Sequence, residues 1–430
     1  MSAEPRATTL LGRIVNVRPA ETAGLVASFA FNFLVFTAYY ILRPLRDSMG
    51  VTGGVHALDD LFWFTFLGML LAVPLFGWIS RKYLRSRFLP WTYVFFIINL
   101  LAFWAVFTAL DDDTWPARVF FVWLSVFNLF VVSVFWSFMA DLFNKEQAGR
   151  MFAFIAGGAS TGAVIGSGIT AFFAEAVGDV NLLLISAAML AATLFLMRYL
   201  LRWSARRADD GDRIAESPIG GNPFAGITLV LRSGYLAGIA LFVFLMAAVT
   251  TFLYLQQAAL LEIHFPDGSE RTAFLGKIDF IVNLIALLLQ LFAIGRLTAR
   301  LGVLTMLVAV PVIVAAGFLL IAASPTLATL VAVYVVRRVG QYAVTRPSLH
   351  ILYTTVDRAS KYKAKNFNDT VVYRGSDAVV ASFHEAVVKA LSLGLAGIAW
   401  LGAGVAVVWA IIAIFLGRAH ERTVPVKPAA

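Results

Sequence analysis

Twelve runs of about twenty apolar residues, separated by shorter polar stretches, constrain this 430-residue chain more than any other feature. They fall near 22–42, 59–80, 88–110, 117–140, 152–175, 180–201, 235–258, 273–295, 303–323, 326–347, 369–391 and 395–417. An α-helix needs ~20 such residues to cross ~30 Å of hydrocarbon. Within lipid every backbone N–H and C=O must be bonded inside its own segment, so helices are the expected form. The first run, Thr22–Leu42, is too long for a signal-peptide core and has no small-residue cleavage site, so it reads as a retained span. Hydrophobic residues make up 60% of the chain and charged residues 14%, so lipid must cover part of the surface. The expected fold is an all-α integral membrane protein with twelve transmembrane helices in two six-helix halves.

The basic residues give an independent check on that number. With the N-terminus inside, 25 of the 34 Lys and Arg fall in inside segments, and only Arg43, Arg46, Arg118, Arg271 and Lys389 fall outside or at outer span ends. The outer loops carry acids instead, among them Asp111–Asp113, Glu175, Asp179, Glu262, Asp267 and Glu270. This asymmetry follows the positive-inside rule, with both termini cytoplasmic in a bacterial-type inner membrane. The net charge of +9 therefore reflects topology, and no nucleic-acid partner is expected. The partners expected are the lipid bilayer and a small-molecule anion.

A polar, turn-rich stretch follows the sixth run, with Asp209, Asp210, Gly211, Pro218, Gly220 and Pro223. It divides the chain into an N-terminal half (1–201), a linker (202–234) and a C-terminal half (235–430), the layout of two-half transporters with a site near the bilayer midplane. A faint repeat at an offset of 213 places Asn144, Lys145 and Arg150 on Asp357, Arg358 and Lys363. In the fifth run Gly158, Gly162 and Gly166 form a strip that another helix can approach closely, either as static packing or as a sliding contact between the halves.

Ionised groups at membrane depth cost about 2.5–3.5 kcal/mol on insertion scales, so each needs a partner or a purpose. Asn32, Phe36, Tyr39, Arg43 and Asp47 recur at helical spacing on the first run, with Arg46 beside them and Pro44 near its end. The eighth holds Lys277, Asp279, Asn283 and Gln290; the tenth holds Arg337 and Arg338, with Arg346 at its end. Two adjacent arginines point ~100° apart on a helix, so at least one should face an aqueous cavity. On the eleventh, Asn366, Thr370, Tyr373, Asp377, Ala381 and His384 share a face, and Arg374 with Asp377 is an i,i+3 pair. That pair is either an internal brace or a substrate contact. The candidate substrate-binding residues are Arg43, Arg46, Asp47, Lys277, Asp279, Asn283, Arg338, Arg346, Tyr373, Arg374 and Asp377. Cations outnumber acids at this depth, which suits a multivalent anion, because guanidinium forks match phosphate or carboxylate oxygens.

Other chemistry finds little support in the sequence. No GxxxxGK[ST] occurs, so an ATP-hydrolysing pump of the Walker type is disfavoured. The five histidines lack metal-ligand spacing, there is no cysteine, and no nucleophile–base pair stands out. No cofactor and no enzyme activity are expected.

Three stretches resemble one family. They are Tyr40-Ile-Leu-Arg-Pro-Leu-Arg46-Asp47, Phe135-Trp-Ser-Phe-Met-Ala-Asp141-Leu-Phe, and Lys361-Tyr-Lys-Ala-Lys365-Asn-Phe-Asn-Asp369-Thr-Val-Val-Tyr373-Arg374-Gly375-Ser-Asp377-Ala. With them the chain resembles the ATP/ADP translocases of plastids and obligate intracellular bacteria and their free-living bacterial homologues. The resemblance implies a major-facilitator fold and exchange of nucleotides, with Arg46 matching a basic residue that helps bind their phosphates. The chain departs from the family after Arg346-Pro347, where Leu349 and His350 stand in place of an Arg-Glu pair, and it is somewhat shorter.

Two other readings stay open at this level. One is a same-fold carrier of another anion, such as a phosphate ester or organic acid, coupled to protons through Asp47, Asp279, Asp377 or His384. The other is a non-transporting scaffold or a lipid-moving protein. Topology is directly testable, because a chain without cysteine accepts single reporter thiols. An impermeant thiol reagent applied to intact cells should label Asp267→Cys and spare Asp210→Cys; the reverse pattern would overturn the arrangement.

Overall fold

The computed structural model describes residues 17–52, 54, 57–82, 85–110, 112–208 and 226–423. Most of the polar stretch expected to link the halves, Asp210 included, lies outside the described residues, as do both chain ends. The first six long helices are α1 (Pro19–Val51), α2 (Leu58–Lys82), α3 (Arg85–Ala109), α4 (Thr114–Leu142), α5 (Lys145–Val177) and α6 (Leu182–Ala208). The next three are α7 (Gly234–His264), α8 (Gly268–Phe292) and α9 (Ile294–Ala323). The tenth, α10, runs from Leu327–Gly340 through a π turn at Gln341–Thr345 into Arg346–Leu352. The eleventh, α11, runs from Arg358–Phe367 through a second π turn at Asn368–Val372 into Tyr373–Leu391. Helix α12 (Leu395–Thr423) closes the bundle.

Eleven of the described helices are long and apolar enough to cross a membrane. Arg374, Asp377, Glu385 and Lys389 interrupt the apolarity of α11, yet it continues as a helix beside the others. The chain is thus an all-α membrane protein with twelve spanning helices. Polar caps mark where several spans begin: Asp267 accepts from the Glu270 N–H, Ser233 from Leu236 and Thr326 from Thr329. Asn144 accepts from Gln147 at the start of α5, and Asp357 accepts from Ser360 at the start of α11. These two caps are the first residues of the repeat at an offset of 213, and this one pair of repeated positions has the same structural role. Gly302, at φ 75, breaks the line of α9 and leaves the span proper to start at 303. The first helix runs well past the expected end at Leu42, through Pro44 to Val51. A proline removes only one backbone donor, and here it does not end the helix.

Apolar burial falls into two large clusters. One runs from Val17 to Leu200, around Phe31, Phe127 and Phe135, and the other from Val230 to Leu416, around Phe242, Phe318 and Trp409. Between the two sets, α5 packs on α8 and α2 on α11, with α1 also touching α8.

The glycine strip of α5 faces α1, within the N-terminal cluster. A Cβ on Gly158, Gly162 or Gly166 would lie 2.4–2.5 Å from the carbonyl oxygens of Phe29, Phe33 and Thr37. It is a seam of static packing, so the sliding contact between the halves that its spacing allowed is not where it lies. Close approach between the halves falls on a glycine in α8: a Cβ on Gly276 would come 2.7 Å from the Ala171 backbone N of α5.

Polar contacts join the halves at mid-depth and at the distal end, the end away from the start of α1 and the end of α12. Arg271 Nε donates to Ser48 at 2.9 Å, and Ser48 donates to the Gly268 carbonyl at 3.2 Å. Trp63 Nε1 donates to Ser382 at 2.8 Å, and Ser382 donates to Asp59 at 2.7 Å. At the proximal end the ties stay within a half: Glu21 accepts from Gln147 at 2.9 Å and from Arg150 at 3.2 Å. Hydrogen bonds thus tie the two halves together at the distal end.

Leu at position 162 should force α1 and α5 apart and lower stability by about 1–3 kcal/mol or more. Gly404→Ala, whose Cβ meets nothing within 4 Å, should be neutral or gain up to about 1 kcal/mol. Thermal unfolding in detergent reads both; equal behaviour would leave the seam without a role.

Candidate functional site

Between the two halves, at mid-depth, lies a cavity of about 430 Å³. Helices α1, α10 and α11 present six arginines to it: Arg43, Arg46, Arg337, Arg338, Arg346 and Arg374. Six tyrosines share the wall, namely Tyr39, Tyr40, Tyr254, Tyr334, Tyr342 and Tyr373. A smaller chamber of about 220 Å³ adjoins it, sharing Phe36, Tyr40, Tyr342 and Arg346 and adding Asn283, Gln290 and Ser160.

Lipid on the outer faces of these helices explains why the arginines turn inward. Three carboxylates hold four of them. Asp279 of α8 accepts from Arg43 Nη1 at 3.0 Å and also from Arg338, whose side chain is almost fully buried. Asp47 accepts from Arg46 at 2.5 Å and from the Tyr254 hydroxyl at 3.3 Å. Asp377 accepts from Arg374 at 3.3 Å and from Thr251 at 3.0 Å. Two of these ties cross between the halves, Arg43–Asp279 and Tyr254–Asp47.

The remaining cations are held differently. Buried Arg337 donates to Thr250 at 2.7 Å and to Gln341 Oε1 at 2.8 Å. Arg346 sits exposed over the Tyr342 ring at 5.4 Å. Among the described residues neither forms an ion pair with a carboxylate. Six guanidiniums against three carboxylates leave an excess of three positive charges around one cavity. Rings soften the cost of the buried cations: Arg46 lies 4.7 Å from the Phe121 centroid and Arg338 5.4 Å from Tyr334.

The two π turns aim part of this lining. Each adds a residue to a helical turn, a local change often found at functional sites. Gln341 and Tyr342 belong to the first, and the second ends immediately before Tyr373 and Arg374. The α11 face expected from a regular helix serves two cavities at different depths, and the residues that do so all follow the second π turn, from Tyr373 on. Tyr373 and Asp377 reach the central cavity, whereas Ala381 and His384 line a separate distal one.

Of the residues singled out from sequence, Arg43, Arg46, Asp47, Asp279, Arg338, Arg346, Tyr373, Arg374 and Asp377 come together in or directly behind the cavity wall. Asn283 lies in the smaller chamber and donates to Ser167 and to the Ala163 carbonyl, each at 3.4 Å. Lys277 is elsewhere: it is half-exposed and pairs with Glu175 at 3.6 Å, away from the cavity. The candidate set did not include Arg337, although it stands out beside Arg338 in the sequence, nor Tyr254, Tyr334, Tyr342 and Thr250–Thr251. The last pair had a signal, since two threonines and Tyr254 one turn on interrupt an otherwise apolar α7.

The sequence model of the Major Facilitator Superfamily matches residues 22–365. No curated protein sequence matches the chain. Among solved structures, the nucleoside transporter NupG aligns with a TM-score of 0.62 at 14% identity, over 94% of this chain and 99% of its own. A POT family transporter in complex with a thioalcohol-conjugated peptide gives 0.66 at 12% identity, over 92% and 96%. A bacterial homologue of the iron transporter ferroportin, in an inward-facing state, gives 0.64 at 12%, over 93% and 98%. At these identities the likeness is one of fold.

Replacing Asp279 by Ala would leave Arg43 and Arg338 without their carboxylate. Removing one partner of a buried ion network costs about 3–5 kcal/mol. Asp279→Ala should therefore unfold well below the parent in a thermal melt, and a parent-like melt would show the triad to be unimportant.

Proposed function

The chain belongs to the Major Facilitator Superfamily, and from that premise we propose that it carries a multivalent anion across the membrane by alternating access, binding it in the arginine-lined cavity. One observation carries this reading: six guanidiniums face one cavity and only three carboxylates offset them. Uncompensated buried cations are costly, and an anionic solute supplies the missing charge. Solved structures of this fold include a nucleoside transporter and a peptide-bound POT family transporter, so the fold leaves the substrate open and the charge of the cavity is the better guide.

The cargo we propose is a nucleotide, exchanged as ATP against ADP. Paired guanidiniums suit phosphate oxygens, and the ring of tyrosines suits a stacked base. Arg46 and Arg374 hold the phosphates, together with Arg337 and Arg346, which have no carboxylate of their own. The departure from the resembled family does not weaken this reading. Leu349 is buried in the C-terminal apolar cluster, His350 is exposed, and neither lines the cavity. The two halves, 1–201 and 235–430, rock about the site, with both termini on the cytoplasmic side of a bacterial-type inner membrane. Cross-half contacts gathered at the distal end are those expected of a state open to that side.

A thermal-shift screen of the purified protein over nucleotides, phosphate esters and organic acids tests the cargo, because a ligand that prefers the folded state raises apparent stability. ATP and ADP should stabilise most. Arg46→Ala, Arg374→Ala and Arg346→Ala should each weaken binding by roughly 1.5–3 kcal/mol, about 10- to 150-fold. Arg→Lys should recover only part of the loss, since it keeps the charge without the planar fork. Unchanged affinity in all three, with stability lost in Arg374→Ala and restored in Arg374→Ala/Asp377→Ala, would reduce these arginines to internal braces. In vesicles, uptake should depend on internal ADP; dependence on a proton gradient instead would select the proton-coupled carrier.

A further inference from the structure

The smaller chamber beside the central cavity has walls of a different kind. Among the described residues Arg346 is the one ionised side chain in its lining, and it borders both spaces. Helix α5 presents Ala159, Ser160 and Ala163 to the chamber, and α8 presents Ala286. Side chains this short are why two packed helices leave open space between them here. Phe36 and Tyr40 of α1 also line it, with ring planes 24° apart and centroids 6.5 Å apart, as does Tyr342 of α10.

Two amides decide what this space can bind. Asn283 Nδ2 donates to the Ala163 carbonyl and to Ser167, each at 3.4 Å, and Gln290 Nε2 donates to the Tyr342 carbonyl at 3.1 Å. A carbonyl can only accept, so these bonds fix which end of each amide is the nitrogen. Both amide nitrogens are committed to the protein, and neither amide oxygen has a donor among the described residues. Asn283 is the more informative of the two. It is only 6% exposed, yet its Oδ1 is not sealed in the packing as the unpaired Oδ1 of Asn32 is. A nearly buried amide oxygen that keeps open surface beside a chamber calls for an N–H donor from a bound molecule. Phosphate does not qualify, because its oxygens accept, and amide oxygens and ring faces repel them.

We propose that this chamber takes the uncharged end of the transported anion, a flat nitrogen heterocycle carrying an amino group. The amino N–H donates to Asn283 Oδ1, and the ring lies against Phe36, Tyr40 and Tyr342. Phosphates stay with the arginines of the central cavity, and Arg346 marks the junction. At about 220 Å³ the chamber is smaller than the roughly 300–1,000 Å³ of whole small-molecule sites, whereas joined to the central cavity of about 430 Å³ it falls within that range. In an adenine nucleotide the amino group carries the base's N–H donors, so Asn283 reads that group. This inference rests on the anionic cargo proposed above and adds where its ring goes and which group of the ring is recognised.

The test titrates the purified full chain calorimetrically with three probes. They are ATP, purine riboside 5′-triphosphate, which lacks the amino group, and inorganic tripolyphosphate, which lacks the nucleoside. ATP should bind about tenfold more tightly than the purine riboside analogue, the loss expected for one hydrogen bond to a buried partner. Tripolyphosphate should bind more weakly still. Asn283→Leu should bring ATP down to the level of the analogue and leave tripolyphosphate unchanged. Because Asn283 also ties α8 to α5, Ser160→Leu is the second variant: it fills the chamber from the α5 side and should bring ATP down to the level of tripolyphosphate. ATP binding no tighter than the analogue in the parent, or untouched by both variants, would overturn the subsite, while tripolyphosphate binding that needs Arg46 would keep the anion reading. If neither ATP nor tripolyphosphate binds, the anionic cargo falls and the subsite falls with it.

Discussion

A carboxylate held between two guanidiniums, Asp279 between Arg43 and Arg338, ties together three helices and both halves of this protein. Each charge alone would be expensive at membrane depth. Together they join α8 to α1 on one side and to α10 on the other, and they fix one wall of the central cavity. The same need to pair charge away from lipid governs Arg46 with Asp47 and Arg374 with Asp377. Three carboxylates do not suffice for six arginines, and the surplus leaves the cavity electropositive.

Dependence on paired charge also bears on motion. The Arg43–Asp279 contact crosses between the halves at mid-depth, while Arg271 with Ser48 and Trp63 with Ser382 close the distal end. Apolar side chains meet across the halves there, Val51, Leu58 and Phe121 with Leu255, Ala258 and Ala381, beside hydrogen bonds between small polar groups and a few cations. The hydrogen bonds are each worth little net free energy, because water can replace them when they part. The seam of α1 on α5 is different in kind. Backbones touch through Gly158, Gly162 and Gly166, and nothing can slide there without clashes.

The two cavities divide the molecule's electrostatics. The central one gathers cations and aromatic rings; the distal one gathers acids against an apolar wall. Both take part of their wall from α11, whose regular segment from Tyr373 on reaches the central cavity with its first turns and the distal one with its later turns.

The sequence by itself determined the class, the twelve spans and most of the central site. Hydropathy and the cost of unpaired backbone in lipid leave a chain of this kind few alternatives to a helical bundle. Arg43, Asp279, Arg338 and Arg374 were legible for the same reason, since ionised residues inside apolar runs stand out one by one. Tertiary structure alone decided the partners. Nothing local says that Asp279 serves Arg43, 236 residues away, or that Lys277, two positions before it, turns outward to Glu175. Helical periodicity put Tyr373, Asp377, Ala381 and His384 on one face, but it could not say that this face meets two cavities at different depths. Glycine spacing marked where helices meet closely but not which helices, and α1 rather than the opposite half proved to be the neighbour. Spacing is a property of one helix, whereas pairing depends on two.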